Sequence, residues 1–322
     1  LNLNFPIPAK EHPDRGGARQ QPPSLPTPSP LRQTPPVLAC ASCSHITCPN
    51  ILLSVLLQYI LIVYQAYAQL EPLAWEYGPS KKEVKFYYNE PREPYMLQMR
   101  EEFDYDELAA GAKTDLERAR IVCDWVHKRW EHKGDCEPPK NDPIRILKDA
   151  RRGMKFSCRE YALVAAGCLN SLGIRARIVQ LMPKDVANHP LGSYHYVTQA
   201  YLNDRKKWIM IDPQWNIIPM LKNYPLSIVE LQPALAKGFK GLTWGVCPDS
   251  LAALYKEGIG EYLYFLIAVF DNRVEGTALP RPVKGGLMLV PIGCKVPGYF
   301  DSLARMKITV TNNLSEFYGM PY

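Results

Sequence analysis

Between Thr114 and Asp212 the spacing of apolar residues changes period once. Thr114 and Glu117 stand at the S/T-x-x-E spacing that satisfies free N–H groups at a helix start. Behind them Leu116, Ala119, Cys123, Val126 and Trp130 recur at steps of three and four, which predicts a one-sided helix stopped by Gly134. His127 and His132 are expected on it. A second helix is framed by Asp142 as cap, Pro143 in the first turn and Gly153 as terminator. A third opens at Ser157-Cys158-Arg159-Glu160, again in capping-box spacing, carries an uncharged run from Tyr161 to Leu169 and ends at Gly173. The pattern then shortens to strands over residues 175–182, 194–202 and 208–212, the last closed by Pro213. Polar residues 203–206 make a turn of the last two strands, so they form a hairpin. Helices followed by an antiparallel sheet predict an α+β fold. Residues 69–111 read as a lead-in that packs on this domain. Beyond Pro233, strands at 261–270, 287–290 and 306–311 form a β-rich extension over 233–322, part of the same domain or a small second one, in which no chemistry is evident.

The front of the chain has a different character. Eleven of the 30 prolines fall within residues 1–50, a leader too poor in apolar surface to fold and expected to be disordered or polyproline-like. Residues 51–68 hold no charge and end in Ala66-Tyr67-Ala68, the small-x-small form of a signal-peptidase site. Lys10, Arg15, Arg19 and Arg32 outnumber Glu11 and Asp14 ahead of it, which keeps the N-terminus in the cytoplasm. Export with cleavage before Gln69 is expected; an uncleaved membrane anchor is the alternative. The first methionine is Met96, so this leader does not mark its own start. Net charge is +6 and no basic block is interleaved with aromatics, so nucleic acid is not an expected partner. Membrane contact is expected only through residues 51–68.

The candidate chemistry centres on Cys158. With Ser157 as cap, it is the first helical residue, where unpaired N–H groups and the helix dipole favour a thiolate. The plainer alternative, a cysteine that fills space as Cys168 does, stays open at this point. Pairing Leu202 with Lys207 in the hairpin sets Val197 opposite Asp212. That puts His195 on the same face as a diagonal neighbour of Asp212, within reach of an imidazole–carboxylate hydrogen bond. A cysteine beside a histidine that a carboxylate orients is the arrangement of a thiol nucleophile. The other histidines are expected to be solvated or packed. Trp130, Tyr194 and Trp215 are candidate walls of a substrate cleft, with core packing as the alternative for each. Cys158, His195 and Asp212 read as metal ligands lack a second ligand pair, so neither metal nor cofactor is expected.

Two stretches, "FSCREYALVAAGCLNSLGIRARIV" and "SYHYVTQAYLNDRKKWIMIDPQW", with "WVHKRWEHKG" ahead of them, resemble the transglutaminase-like superfamily, a branch of the papain-like cysteine fold. The likeness runs from about Thr114 to Trp215 and is closest to exported bacterial proteins that carry such a domain. It implies a papain/transglutaminase-like domain over 69–232 with Cys158 as nucleophile, His195 as base and Asp212 as its orienter. It also implies acyl transfer or hydrolysis at amide groups of a protein or peptide substrate through a thioester. A non-catalytic cell-envelope module on the same fold is the alternative.

Overall fold

The computed structural model describes residues 70–134, 141–186, 194–238, 240–245, 249–274, 283–295 and 307–319. The leader and the apolar segment expected at 1–50 and 51–68 lie outside the described residues. Among the described residues no helix is long and apolar enough to cross a membrane.

Helix ends follow the capping residues. In α3 (Asp115–His127) the Thr114 hydroxyl accepts the Glu117 N–H at 3.2 Å, and Leu116, Ala119, Cys123 and Val126 are buried. This helix stops at His127, about two turns before Gly134, so Trp130 and His132 lie beyond it rather than on it. The run from His127 to Lys133 carries a single apolar residue, Trp130, too little to hold further turns against the core. In α4 (Pro143–Arg151) the Asp142 side chain accepts the Arg145 N–H, and Gly153 leaves at φ +89°. In α5 (Cys158–Ser171) the Glu160 carboxylate accepts both the N–H of Ser157, at 3.1 Å, and its hydroxyl, at 2.6 Å. Two short helices, α1 (Pro94–Glu102) and α2 (Tyr105–Ala109), occupy the stretch read as a lead-in. Helix α5 passes so close to α4 that a Cβ on Gly167 would come within 3.0 Å of Pro143 Cγ.

The main sheet has six strands. They are β1 (Ala176–Met182), β2 (His195–Leu202), β3 (Lys207–Ile211), β7 (Phe265–Val269), β8 (Gly286–Leu289) and β9 (Ile308–Thr311), in the order β3-β2-β1-β7-β8-β9. Every neighbouring pair is antiparallel except β8 with β9. The predicted register holds, with Leu202 opposite Lys207 and Thr198 opposite Ile211. A second sheet of two-residue strands, β4 (Met220–Leu221), β5 (Tyr224–Pro225) and β6 (Leu242–Thr243), stands beside it in sequence.

Both faces of the main sheet are covered over β1, β2, β3, β7 and β8, which is why these strands are buried at nearly every position. On one face Ile178, Tyr196, Ala200 and Ile209 pack with α3, α4 and α5. On the other, Val179, Leu181, Val197 and Met210 pack with α6 (Ile228–Ala236), α7 (Asp249–Tyr262), Leu266, Leu287 and Phe317. Residues 261 and 262, expected to begin a strand, finish α7 instead, and β7 starts at Phe265. The C-terminal strands thus continue the same sheet, and the extension also holds helical residues. The architecture is α+β, with helices packed on a mostly antiparallel sheet.

Candidate active site

The site is built where the first turn of α5 meets β2 and the end of β3. Cys158 opens α5, fixed by the capping box behind it. Glu160 is itself fully buried and paired with the Arg159 guanidinium at 3.1 Å, whose other arm reaches the Asn141 carboxamide. The thiol is half-buried, and among the described residues Cys168 and Cys294 are free thiols alongside it.

His195 is the first residue of β2, and its Nε2 lies 2.5 Å from Asp212 Oδ2. That engagement leaves Nδ1 as the ring nitrogen for the hydrogen bond that His195 makes to Cys158. Asp212 is 0 % exposed, and a buried carboxylate needs partners. Besides His195 it receives the Trp215 N–H on Oδ1 at 3.4 Å. Its backbone closes a bridge with Ile217, the two N–H···O bonds being 2.8 and 2.9 Å. Helix α3 holds this turn. The Cys123 thiol reaches the Asp212 carbonyl, His127 Nδ1 lies 2.9 Å from the Gln214 carbonyl, and Asn216 donates to Asp124 at 3.0 Å. The carboxylate is thus set by a strand end and clamped by a helix.

The electrostatics follow from these contacts. For Cys158, burial pushes the thiol up, but hydrogen bonds from His132 and His195, the charge of His195 and the Tyr196 N–H outweigh it and bring the pKa down to about 7. For His195, burial pulls down, but the charge and hydrogen bond of Asp212, joined by Cys158, lift the imidazolium to about 10. Between those values thiolate and imidazolium coexist. Cys168 is the contrast: full burial drives its thiol well above the ordinary value, as befits a core residue.

Sequence reasoning missed His132. It sits past the end of α3 in a bridge with Phe156, two residues before the thiol, and is one of the groups that hold the Cys158 pKa down. The charge-rich run from His127 to Lys133 was the available sign that the helix ends early and leaves this residue free to turn elsewhere. The candidate wall residues take different places. Trp130 is buried, its ring 5.6 Å from Phe156 and 4.5 Å from Tyr161, and its carbonyl accepts the Tyr161 hydroxyl. Tyr194 is half-buried, edge-on to Tyr196. Trp215 is half-buried against Tyr255. Among the described residues no three His, Cys, Asp or Glu side chains are grouped to hold a metal ion.

An α+β fold that joins a helix-initial thiol to a strand histidine and a buried aspartate has the makings of a cysteine-dependent hydrolase or transferase. Residues 105–213 match the model of the transglutaminase-like superfamily, and the chain therefore carries a domain of that superfamily over about a third of its length. No curated protein is similar enough to this chain to match it. Three solved structures are similar to parts of it. A candidate cysteine protease from Cytophaga hutchinsonii shares 13% identity at a TM-score of 0.30, the match covering 37% of each chain. A candidate protease from Parabacteroides distasonis shares 15% at 0.27, over 46% of this chain and 26% of that one. Red sea bream transglutaminase shares 16% at 0.24, over 47% of this chain and 32% of that one. The chain thus covers well under two thirds of each, and likenesses at these TM-scores carry no inference about it.

Proposed function

We propose that this protein is a thiol acyltransferase or amide hydrolase in which Cys158 is the nucleophile, His195 the base and Asp212 the group that orients it. The observation that carries the reading is one continuous chain of contacts: thiol at a helix N-terminus, imidazole, buried carboxylate. The thiolate attacks the carbonyl of a carboxamide or peptide bond. His195 passes its proton to the departing ammonia or amine as the C–N bond breaks, and a thioester to Cys158 remains. Water or an amine then attacks the thioester. His195 takes the proton of the incoming group, the C–S bond breaks, and the thiolate returns. Asp212 keeps the ring in one tautomer and stabilises its charge throughout. The Cys158 backbone N–H at the helix start is a donor for the oxyanion, a position at which one hydrogen bond is worth about 3–4 kcal/mol.

The substrate is a protein or peptide. Trp130, Tyr194 and Trp215 shape its cleft, Trp130 from beneath by bracing Phe156 and Tyr161. The protein is exported, residues 51–68 acting as the signal and residues from Gln69 onward as the mature chain. The support for this is the uncharged run and its small-x-small end.

The test compares the mature chain with Cys158→Ala on a mixed peptide pool, measuring ammonia release and incorporation of a labelled amine. Activity in the parent and none in the variant is expected. Ammonia without incorporation assigns hydrolysis; incorporation assigns transfer. Equal output from the two proteins would defeat the assignment and leave a non-catalytic module.

A further inference from the structure

Residues 130–133 and 155–157 run side by side and are clamped at successive levels. The Trp130 ring stands edge-on to Phe156, Glu131 is ion-paired with Lys155, His132 bridges Phe156, and the Lys133 N–H donates to the Phe156 carbonyl at 2.9 Å. Phe156 is fully buried, so this ladder is anchored in the core although His132 itself is exposed. An exposed histidine contributes no core packing, yet the ladder holds it two residues from the position across which Cys158 begins its helix. Two rings of different kind thus stand on the flanks of the thiol: His195, largely buried and tied to Asp212, and His132, open to solvent and borne on a separate segment bridged to Phe156.

We propose that His132 is a second imidazole of the catalytic centre, donating a hydrogen bond to the Cys158 sulfur from its solvent-exposed side. This rests on the reading of Cys158 as the nucleophile and adds to it a residue outside the Cys-His-Asp set. His132 takes no proton from the thiol; that proton moves to His195, and His132 stabilises the thiolate left behind through an N–H···S contact. Once the sulfur is acylated it becomes a poor acceptor, and the His132 N–H is released beside the thioester, on its solvent side. The other titratable and charged groups around the thiol are Tyr196 on β2, Arg159 and Glu160 on α5, and Tyr262 at the end of α7. Arg159 and Glu160 are paired with each other, and Tyr262 stands 6.5 Å from the His195 ring, so neither duplicates the His132 role.

The experiment follows the rate of Cys158 alkylation by iodoacetamide against pH in the full chain, with Cys158→Ala as the blank for other thiols. It needs no substrate. His132→Ala is expected to move the midpoint upward, so that the rate near pH 6 falls about three- to tenfold while the alkaline plateau is kept. His132→Gln, which restores an N–H donor, is expected to recover part of the loss. Thermal unfolding of both variants should match the parent, because the side chain is exposed. A His132→Ala profile that overlays the parent, with His195→Ala displaced, overturns the His132 role and leaves the Cys158–His195 pair standing. Profiles unmoved in both variants overturn the pair as well.

Discussion

At the residue scale, the site is governed by how much of a charge each neighbour holds. Asp212 has no solvent to share its charge with, so its effect is concentrated on His195. Activity is expected to follow a bell-shaped dependence on pH. The acid limb falls as the Cys158 thiol is protonated below about 7. The alkaline limb falls as the His195 imidazolium is lost above about 10, since nothing then protonates the leaving amine. Asp212→Asn keeps the shape of the turn but removes the charge that lifts His195. Steady-state turnover should drop by about 10²–10⁴-fold, and the alkaline limb should shift to lower pH. A variant with unchanged turnover would show that the carboxylate is only structural. Cys158, His195 and Asp212 were legible in the sequence because each is pinned by a local rule: a capping box, a strand face, a hairpin register. His132 was not, because its place depends on where α3 stops and on a pairing with Phe156 between segments far apart in sequence.

At the element scale, α5 carries the weight. Its first turn must hold the thiol still, and the Ser157–Glu160 capping box with the Arg159 pair behind it does that work. Ser157→Ala removes a hydroxyl bonded to Glu160 and should cost about 1 kcal/mol in denaturant unfolding. Glu160→Ala should cost more, about 3–5 kcal/mol, because it strands the buried Arg159 guanidinium without its carboxylate. A loss in the second variant no larger than in the first would mean that the pair is replaced by solvent. The helix starts were readable from caps. The end of α3 was not, since Gly134 offered a stop signal that the chain never reaches as a helix. The strand edges near 261 failed for a related reason: Glu261 and Tyr262 prolong α7, and tertiary packing against β1 outweighs local preference there.

At the scale of the whole molecule, the superfamily match over residues 105–213 reaches only β1, β2 and β3 of the six-stranded sheet. The other three strands come from beyond residue 260 and supply Leu266, Ala268, Leu287 and Leu289 to the core beneath β1 and β2. The C-terminal α8 (Leu314–Phe317) is tied in by Arg177. This buried guanidinium stands 4.4 Å from the Phe86 ring and 4.7 Å from those of Trp208 and Phe317, and it donates to the Phe317 carbonyl at 2.7 Å. A chain ended at residue 236 would leave β1 as an open apolar edge. It should be insoluble or show no cooperative thermal transition, whereas a soluble chain with a sharp transition would show that the first three strands fold alone. The sequence pattern found the late strands but could not say which sheet they join, because pairing order is a property of the assembled fold. The most direct test of the central claim is made on that assembled chain: the thiolate absorbance of the intact protein is titrated with acid and alkali and compared with Cys158→Ala. The difference should show one thiol ionising with a midpoint of about 7; a midpoint at the ordinary 9.0 or above would contradict the pairing of Cys158 with His195.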